Sequence, residues 1–159
     1  MKRRKALGVL AGLAAGALYF SASGIMSYAL PGWDNSSGEW KYNNAREESM
    51  TNVWRQSGPR WYYLGSDGKL LKDSLLSWQN DTYYLDKDGV MAVNQWVHIS
   101  GEQSSDQGSF AEGWYYFGPT GKSYRKTGDK FKKIIDGKSY VFNEDGVMLT
   151  GWLDGNRGR

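Results

Sequence analysis

The chain has 159 residues, with 20 Lys and Arg against 17 Asp and Glu, no cysteine and one histidine. This length allows one domain, or one domain with a targeting segment. The lack of cysteine excludes a disulfide scaffold, a thiolate nucleophile and cysteine-ligated metals, and one histidine, His98, excludes a histidine-rich metal site. Eight Trp, eleven Tyr and 21 Gly favour a β-rich binding surface over a compact metabolic enzyme.

The first residues have the pattern of an export signal. Residues 2–5 carry four positive charges, residues 6–20 are apolar, and small residues follow. This order predicts a secretory signal peptide over residues 1–29, cleaved after Ala29, with a second option after Ser23. The alternative is an uncleaved anchor, because residues 6–30 are long enough to span about 30 Å of hydrocarbon as a helix. Membrane contact is expected only through this segment, and only if it stays uncleaved.

The signal also accounts for the basic character of the chain. Removing its four positive charges from the net charge of +3 leaves −1 for the remainder. No basic surface is then predicted that would follow a phosphate backbone, so nucleic acid is not an expected partner.

An aromatic pattern that ends in glycine recurs along the rest of the chain. It occupies residues 60–68, 81–89, 113–121 and 138–146. A second element precedes each aromatic run. It contains Trp in Val53-Trp54, Ser77-Trp78 and Gln95-Trp96, Phe takes the place of Trp in Lys130-Phe131, and Gly151-Trp152 opens an incomplete unit. The predicted organisation is a signal at 1–29, a degenerate first repeat at 30–52, and repeats over 53–159 with a polar insert at 100–112.

Each unit is predicted to be a β-hairpin followed by an Asp-Gly or Thr-Gly turn. Side chains alternate along a strand, so Trp61 and Tyr63 should share one face and Tyr62 and Leu64 the other. A single two-stranded hairpin is marginal in water. Stacked hairpins can bury one another's aromatic faces, which predicts an all-β solenoid of hairpin repeats.

The units resemble the choline-binding and cell-wall-binding repeats of Gram-positive bacteria and their phages. The resemblance rests on Trp61-Tyr62-Tyr63-Leu64 with Asp67-Gly68, on Asp88-Gly89-Val90-Met91, and on Asp145-Gly146-Val147-Met148. It implies a β-solenoid that binds choline on teichoic acids, or related glucan and wall polymers, in aromatic cages between consecutive units.

The resemblance also implies a set of ligand contacts. These form four groups: Trp33 and Trp40 with Tyr63; Trp54 and Trp61 with Tyr84 and Met91; Trp78 with Tyr116; and Trp96 with Trp114. Thr82 replaces the partner Trp in the third group, and Val141 replaces the expected Tyr in the fourth. The other aromatic residues of the runs, Tyr62, Tyr83 and Tyr115 among them, are assigned to packing within the repeat.

Aromatic cages suit quaternary ammonium groups because ring faces attract a weakly hydrated cation, and flat aromatic platforms suit sugar rings. The predicted function is a secreted, non-enzymatic module held at the cell wall or cell surface by choline-bearing teichoic acid or by wall or glucan polysaccharide. No catalytic residue, metal or cofactor is predicted. The alternative is a structural or protein-interaction repeat in which all the aromatic rings are packed.

Overall fold

The computed structural model describes residues 32–105, 107–128 and 132–150, and there every regular element is a β-strand. The strands are β1 (Gly32–Asp34), β2 (Lys41–Asn43), β3 (Val53–Ser57), β4 (Arg60–Leu64), β5 (Ser74–Trp78), β6 (Asp81–Leu85), β7 (Gln95–Ile99), β8 (Gln103–Ser105), β9 (Gly108–Phe110), β10 (Gly113–Phe117), β11 (Lys132–Ile135) and β12 (Lys138–Val141). The predicted signal at 1–29, Phe131 and Trp152 lie outside the described residues.

The strands pair as antiparallel hairpins, and the all-β prediction is confirmed. Hairpin A is β1–β2, hairpin B is β3–β4, hairpin C is β5–β6, hairpin D is β7–β10 and hairpin E is β11–β12. Along the chain, the small hairpin β8–β9 comes between the two strands of hairpin D, which pair directly with each other. It falls within the predicted insert. No helix in the described ranges is long and apolar enough to cross a membrane.

Two-residue loops close three of the hairpins. Gly58 and Pro59 connect the strands of hairpin B, and the Gly58 φ of 56° suits a turn that needs positive φ at its first position. In hairpin C both loop residues, Gln79 and Asn80, have positive φ, as do Asp136 and Gly137 in hairpin E. These turns match the right-handed twist of the flanking strands.

The register of hairpin B confirms the predicted alternation of its side chains. Trp54 pairs with Tyr63 and Gln56 pairs with Trp61, so these four residues share one face. This face turns towards hairpin C, because Trp54 contacts the rings of Tyr83 and other residues there. We call this side of each hairpin its forward face, and the opposite side its backward face.

A repeated backbone hydrogen bond joins consecutive hairpins. The backbone amide two residues after each turn glycine donates to a backbone carbonyl in the preceding hairpin, at or next to the start of its aromatic strand. The four bonds run from Leu70 to Trp40, from Met91 to Trp61, from Ser123 to Thr82 and from Met148 to Trp114, at 2.7–2.9 Å. Because the same bond recurs, each hairpin has the same placement on its predecessor, and the side chains between hairpins fall into equivalent positions.

The buried residues lie between the hairpins rather than inside any one of them. One cluster joins Tyr63 of hairpin B to Leu76, Tyr83 and Leu85 of hairpin C. A second joins Leu75 of hairpin C to Tyr115 and Phe117 of hairpin D, and a third joins Tyr116 of hairpin D to Ile135 and Phe142 at hairpin E. Stability therefore depends on contacts between neighbours, as expected for repeats that cannot bury a core alone.

Candidate ligand-binding interfaces

Three hairpin interfaces contain the same aromatic contact. A forward-face Trp of the first strand touches a backward-face Tyr of the next hairpin, in the pairs Trp33–Tyr62, Trp54–Tyr83 and Trp96–Tyr140. Their ring centroids are 5.4, 5.1 and 4.8 Å apart, with ring planes at 70°, 64° and 61°. Such near-perpendicular contacts are a preferred geometry for aromatic pairs.

The same tryptophans also contact the Tyr opposite them in their own hairpin. Centroid distances are 5.4 Å for Trp33–Tyr42, 5.2 Å for Trp54–Tyr63 and 5.1 Å for Trp96–Tyr116. Each of these tryptophans therefore contacts two tyrosines, one in its own hairpin and one in the next.

A second Trp of each of these interfaces stays partly open to solvent. Trp40, Trp61 and Trp114 are 41%, 40% and 44% exposed. The tyrosines that contact the first Trp of each interface are instead buried or half-buried. All three tryptophans lie on the forward face at the start of the aromatic strand. Large apolar side chains left open at equivalent places on a repeat are available to a ligand.

The structure places neither Tyr63 nor Tyr84 on the face that turns back to the preceding hairpin, and their role as ligand contacts stays a prediction. Tyr62 rather than Tyr63 meets Trp33, and Tyr83 rather than Tyr84 meets Trp54. Consecutive strand residues point to opposite faces, so only one Tyr of each pair can turn back to the preceding hairpin. Tyr84 instead turns forward, where its ring stacks on Phe117 and its hydroxyl donates to Asp73 at 2.5 Å.

Trp78 lies at a different interface from the one predicted. The register of hairpin C pairs Leu75 with Tyr84, so Leu75 rather than Trp78 occupies the position that Trp54 has in hairpin B. Trp78 pairs with Asp81 beside the turn and faces backwards. Its ring contacts Trp54 and Tyr83, so it belongs to the interface between hairpins B and C.

The interface between hairpins C and D is filled by apolar packing. Leu75, Thr82 and Tyr115 occupy the positions that carry Trp, Trp and Tyr elsewhere, and Tyr115 is fully buried. Its hydroxyl donates to the Ala111 carbonyl at 2.7 Å, and burial raises its pKa to about 12. Phe110 of the insert packs against this cluster. Tyr116, predicted at this interface, instead contacts Trp96 on the opposite face.

Between hairpins D and E the aromatic set is complete, although the sequence alignment placed Val141 there. Val141 lies opposite Lys132 on the forward face, whereas Tyr140 turns back to Trp96. Met91, predicted to close the second group, packs against the cluster between hairpins B and C and lies next to the Gly121 turn.

The signal for the missed tyrosines was present in the sequence. The third residue of the aromatic strand is a tyrosine in all four copies, Tyr62, Tyr83, Tyr115 and Tyr140. The fourth residue is a tyrosine in three copies but Val141 in the last. The more regular position is the one that contacts the preceding hairpin.

Comparison with known proteins confirms the resemblance seen in the sequence. Residues 50–96 match the family model described as a choline-binding repeat. These residues include hairpins B and C and therefore the whole interface at which Trp54 contacts Tyr83.

The fold is similar to that of choline binding protein F from Streptococcus pneumoniae, solved in the presence of a peptidoglycan analogue. The TM-score is 0.51 at 26% identity, over 82% of this chain and 38% of that one. A truncated alternansucrase from Leuconostoc mesenteroides shares the fold with a TM-score of 0.51 at 22% identity, over 74% of this chain and 10% of that one.

A sequence relative is glucosyltransferase-S of Streptococcus mutans serotype c, 29% identical over 119 residues. The match covers 74% of this chain and 7% of the glucosyltransferase, so the chain corresponds to a small part of that enzyme.

Proposed function

We propose that the chain is a secreted, non-enzymatic module that holds itself at the cell surface by binding choline-bearing teichoic acid, or wall or glucan polysaccharide. Its ligand sites are the three aromatic interfaces A/B, B/C and D/E, in hairpins that stack as a β-solenoid. The observation that carries this proposal is the recurrence of one Trp–Tyr contact, at 4.8–5.4 Å, beside a half-exposed Trp.

The geometry of the A/B interface suits a quaternary ammonium group. Trp33 and Trp40 have centroids 6.3 Å apart and ring planes at 83°. A cation held between two rings at this separation lies within the roughly 6 Å reach of a cation–π contact of both. Tyr62 closes the third side through its contact with Trp33.

Repetition provides the retention that a single site lacks. Each ring contributes about 0.5–2 kcal/mol to holding a cation, and association entropy offsets part of the total. A site of three rings is therefore expected to bind near the millimolar range, where 1 mM corresponds to about −4.1 kcal/mol. Three such sites on one polymer gain orders of magnitude through effective concentration.

Retention on purified walls tests this function. The chain is applied to immobilised walls that carry choline, to walls without it, and to glucan, and elution by free choline is measured. Trp114→Ala is expected to weaken retention, whereas Ile134→Ala removes an apolar side chain that is 77% exposed and outside the three interfaces, and should not. Absence of retention on every polymer would exclude the proposal.

A structural or protein-interaction repeat is the second candidate, and the direct ring contacts favour it, because each first-strand Trp already touches two tyrosines. A ligand of the folded state must raise the denaturation midpoint. A midpoint unchanged by choline or by wall fragments at saturating concentration would support this alternative.

A further inference from the structure

We propose that the B/C interface is the strongest cation site of the chain and that Trp78 makes it so, an inference that rests on the proposed function. The A/B, B/C and D/E interfaces share their basic aromatic set but differ at two backward-face positions. At one position only the B/C interface has an aromatic ring. At the other position the A/B and D/E interfaces have a positive charge and the B/C interface does not.

The added ring is that of Trp78. Its centroid lies 6.3 Å from that of Trp54 with ring planes at 82°, nearly the values of the Trp33–Trp40 pair at the A/B interface. Its centroid is also 6.4 Å from that of Tyr83. Trp78 thus lies at nearly the same distance and angle to Trp54, from the opposite hairpin, as Trp40 does to Trp33.

The equivalent positions at the other interfaces carry no ring. Ser57 occupies this place at the A/B interface and Ile135 at the D/E interface, since both lie opposite the residue that follows the turn, as Trp78 does. With Trp61 still 40% exposed on the forward face, the B/C interface presents three indoles where the A/B and D/E interfaces present two.

The difference in charge acts in the same direction. At the A/B interface, Arg55 lies with its guanidinium 4.9 Å from the centroid of Tyr42, the ring that contacts Trp33. At the D/E interface the equivalent residue is Lys133, whose ammonium lies 5.5 Å from the centroid of Tyr124. At the B/C interface this position is Leu76, which is fully buried. Two cations do approach this interface at Asp81, opposite Trp78, but Lys122 and Arg125 are paired there with the Asp81 carboxylate at 2.6 and 3.8 Å, so their charge is partly balanced.

A resident cation next to an aromatic cluster opposes the entry of a second one. Two unit charges several ångströms apart at a protein surface repel appreciably, and salt reduces the effect. The B/C interface combines the extra ring with an apolar residue at the charged position, so a quaternary ammonium ion should occupy it first.

The experiment follows the indole N–H signals of the ¹⁵N-labelled full chain during a titration with tetramethylammonium chloride, a cation with no other recognition group. Single Trp→Phe variants assign the signals. Trp33 reports on the A/B interface, Trp54 on B/C and Trp96 on D/E. We expect the Trp54 signal to saturate at a concentration about tenfold lower than the other two.

Two variants separate the ring from the charge. Trp78→Ala should raise the apparent Kd at Trp54 about tenfold, leaving the values at Trp33 and Trp96 within twofold, and those two signals report that the chain is still folded. Arg55→Met should lower the Kd at Trp33 about threefold at low ionic strength, and this gain should shrink as salt is added.

Each result decides a separate point. If Trp78→Ala leaves the affinity at Trp54 unchanged or increases it, the ring fills the cleft instead of lining it, and the inference is wrong although the proposed function stands. Equal affinity at the three interfaces also overturns the inference. If none of the indoles responds to the cation, the inference and the cation part of the proposed function both fail, and retention on glucan then tests the polysaccharide part alone.

Discussion

Trp54 and Tyr83 belong to different hairpins, yet their ring centroids lie 5.1 Å apart with the ring planes at 64°. The contact holds hairpin B against hairpin C and, at the same time, forms part of the proposed ligand site. Binding and folding thus depend on the same side chains, so a ligand that lies between hairpins should stabilise their association.

The two tryptophans of the D/E interface should differ in their effect on stability. Trp96 contacts Tyr116, Tyr140 and Phe142, so Trp96→Ala should lower the free energy of unfolding by about 3 kcal/mol. Trp114 is 44% exposed, so Trp114→Ala should cost about 1 kcal/mol or less while still weakening choline binding. Urea denaturation measures the first effect, and equal losses of stability would contradict these roles.

The glycine turns should tolerate a methyl group only where no neighbouring hairpin approaches. At Gly89, with φ of 79°, an added Cβ would lie 2.7 Å from Cγ and Cδ2 of Leu70, so Gly89→Ala combines a clash with backbone strain. We expect a cost of about 2–3 kcal/mol. Gly128 has φ of 56° and nothing within 4 Å, so Gly128→Ala should show only the strain, about 1 kcal/mol. Similar thermal midpoints for the two variants would exclude a close contact at Gly89.

Ser123 should be a weak point between hairpins C and D. It occupies the position after the glycine turn that is Leu70, Met91 or Met148 in other units, and its buried hydroxyl makes no hydrogen bond. A buried unpaired hydroxyl costs about 1–3 kcal/mol, so Ser123→Ala is expected to raise stability by about 1 kcal/mol. Chemical denaturation of the variant measures this gain, and a loss of stability would show that the hydroxyl has a partner.

Alkaline pH should destabilise the chain through its buried tyrosines. Burial raises the pKa of Tyr115 to about 12, and burial together with the Asp73 carboxylate raises that of Tyr84. The unfolded state ionises near pH 10, whereas the folded state keeps these hydroxyls neutral. Their contribution is therefore complete below pH 10 and is lost as the pH rises towards 12.

Tyr115→Phe tests this dependence. Each such tyrosine contributes at most about 1.4 kcal/mol per pH unit in this window. The variant should therefore show a shallower fall of stability between pH 10 and 12, measured by denaturation at fixed pH. An unchanged slope would mean that Tyr115 ionises equally in both states.

Local sequence patterns predicted the hairpins and most of their turns, because alternation and turn chemistry are properties of neighbouring residues. Tyr62 and Tyr63 show where such reasoning stops: both are aromatic and adjacent, and only contact with the preceding hairpin decides which one faces it. Trp78 was aligned with Trp54 because it is the Trp that precedes the aromatic run, whereas the pairing of Leu75 with Tyr84 sets the register.

The insert was harder to interpret, since its pairing is decided by tertiary contacts. Its strands β8 and β9 form a separate hairpin, and the Ser77 amide donates to the Gln107 carbonyl at 2.8 Å. Phe110 then covers the interface where Leu75 and Thr82 replace two tryptophans. No short-range pattern in this polar segment indicates that partner.

A crystal structure of the chain with choline tests the central claim most directly. We expect the trimethylammonium group between hairpins, in contact with Trp54 and Tyr83 at one interface and with Trp33 and Tyr62 at another. Choline bound elsewhere on the surface at saturating concentration, with all three aromatic interfaces empty, would contradict it.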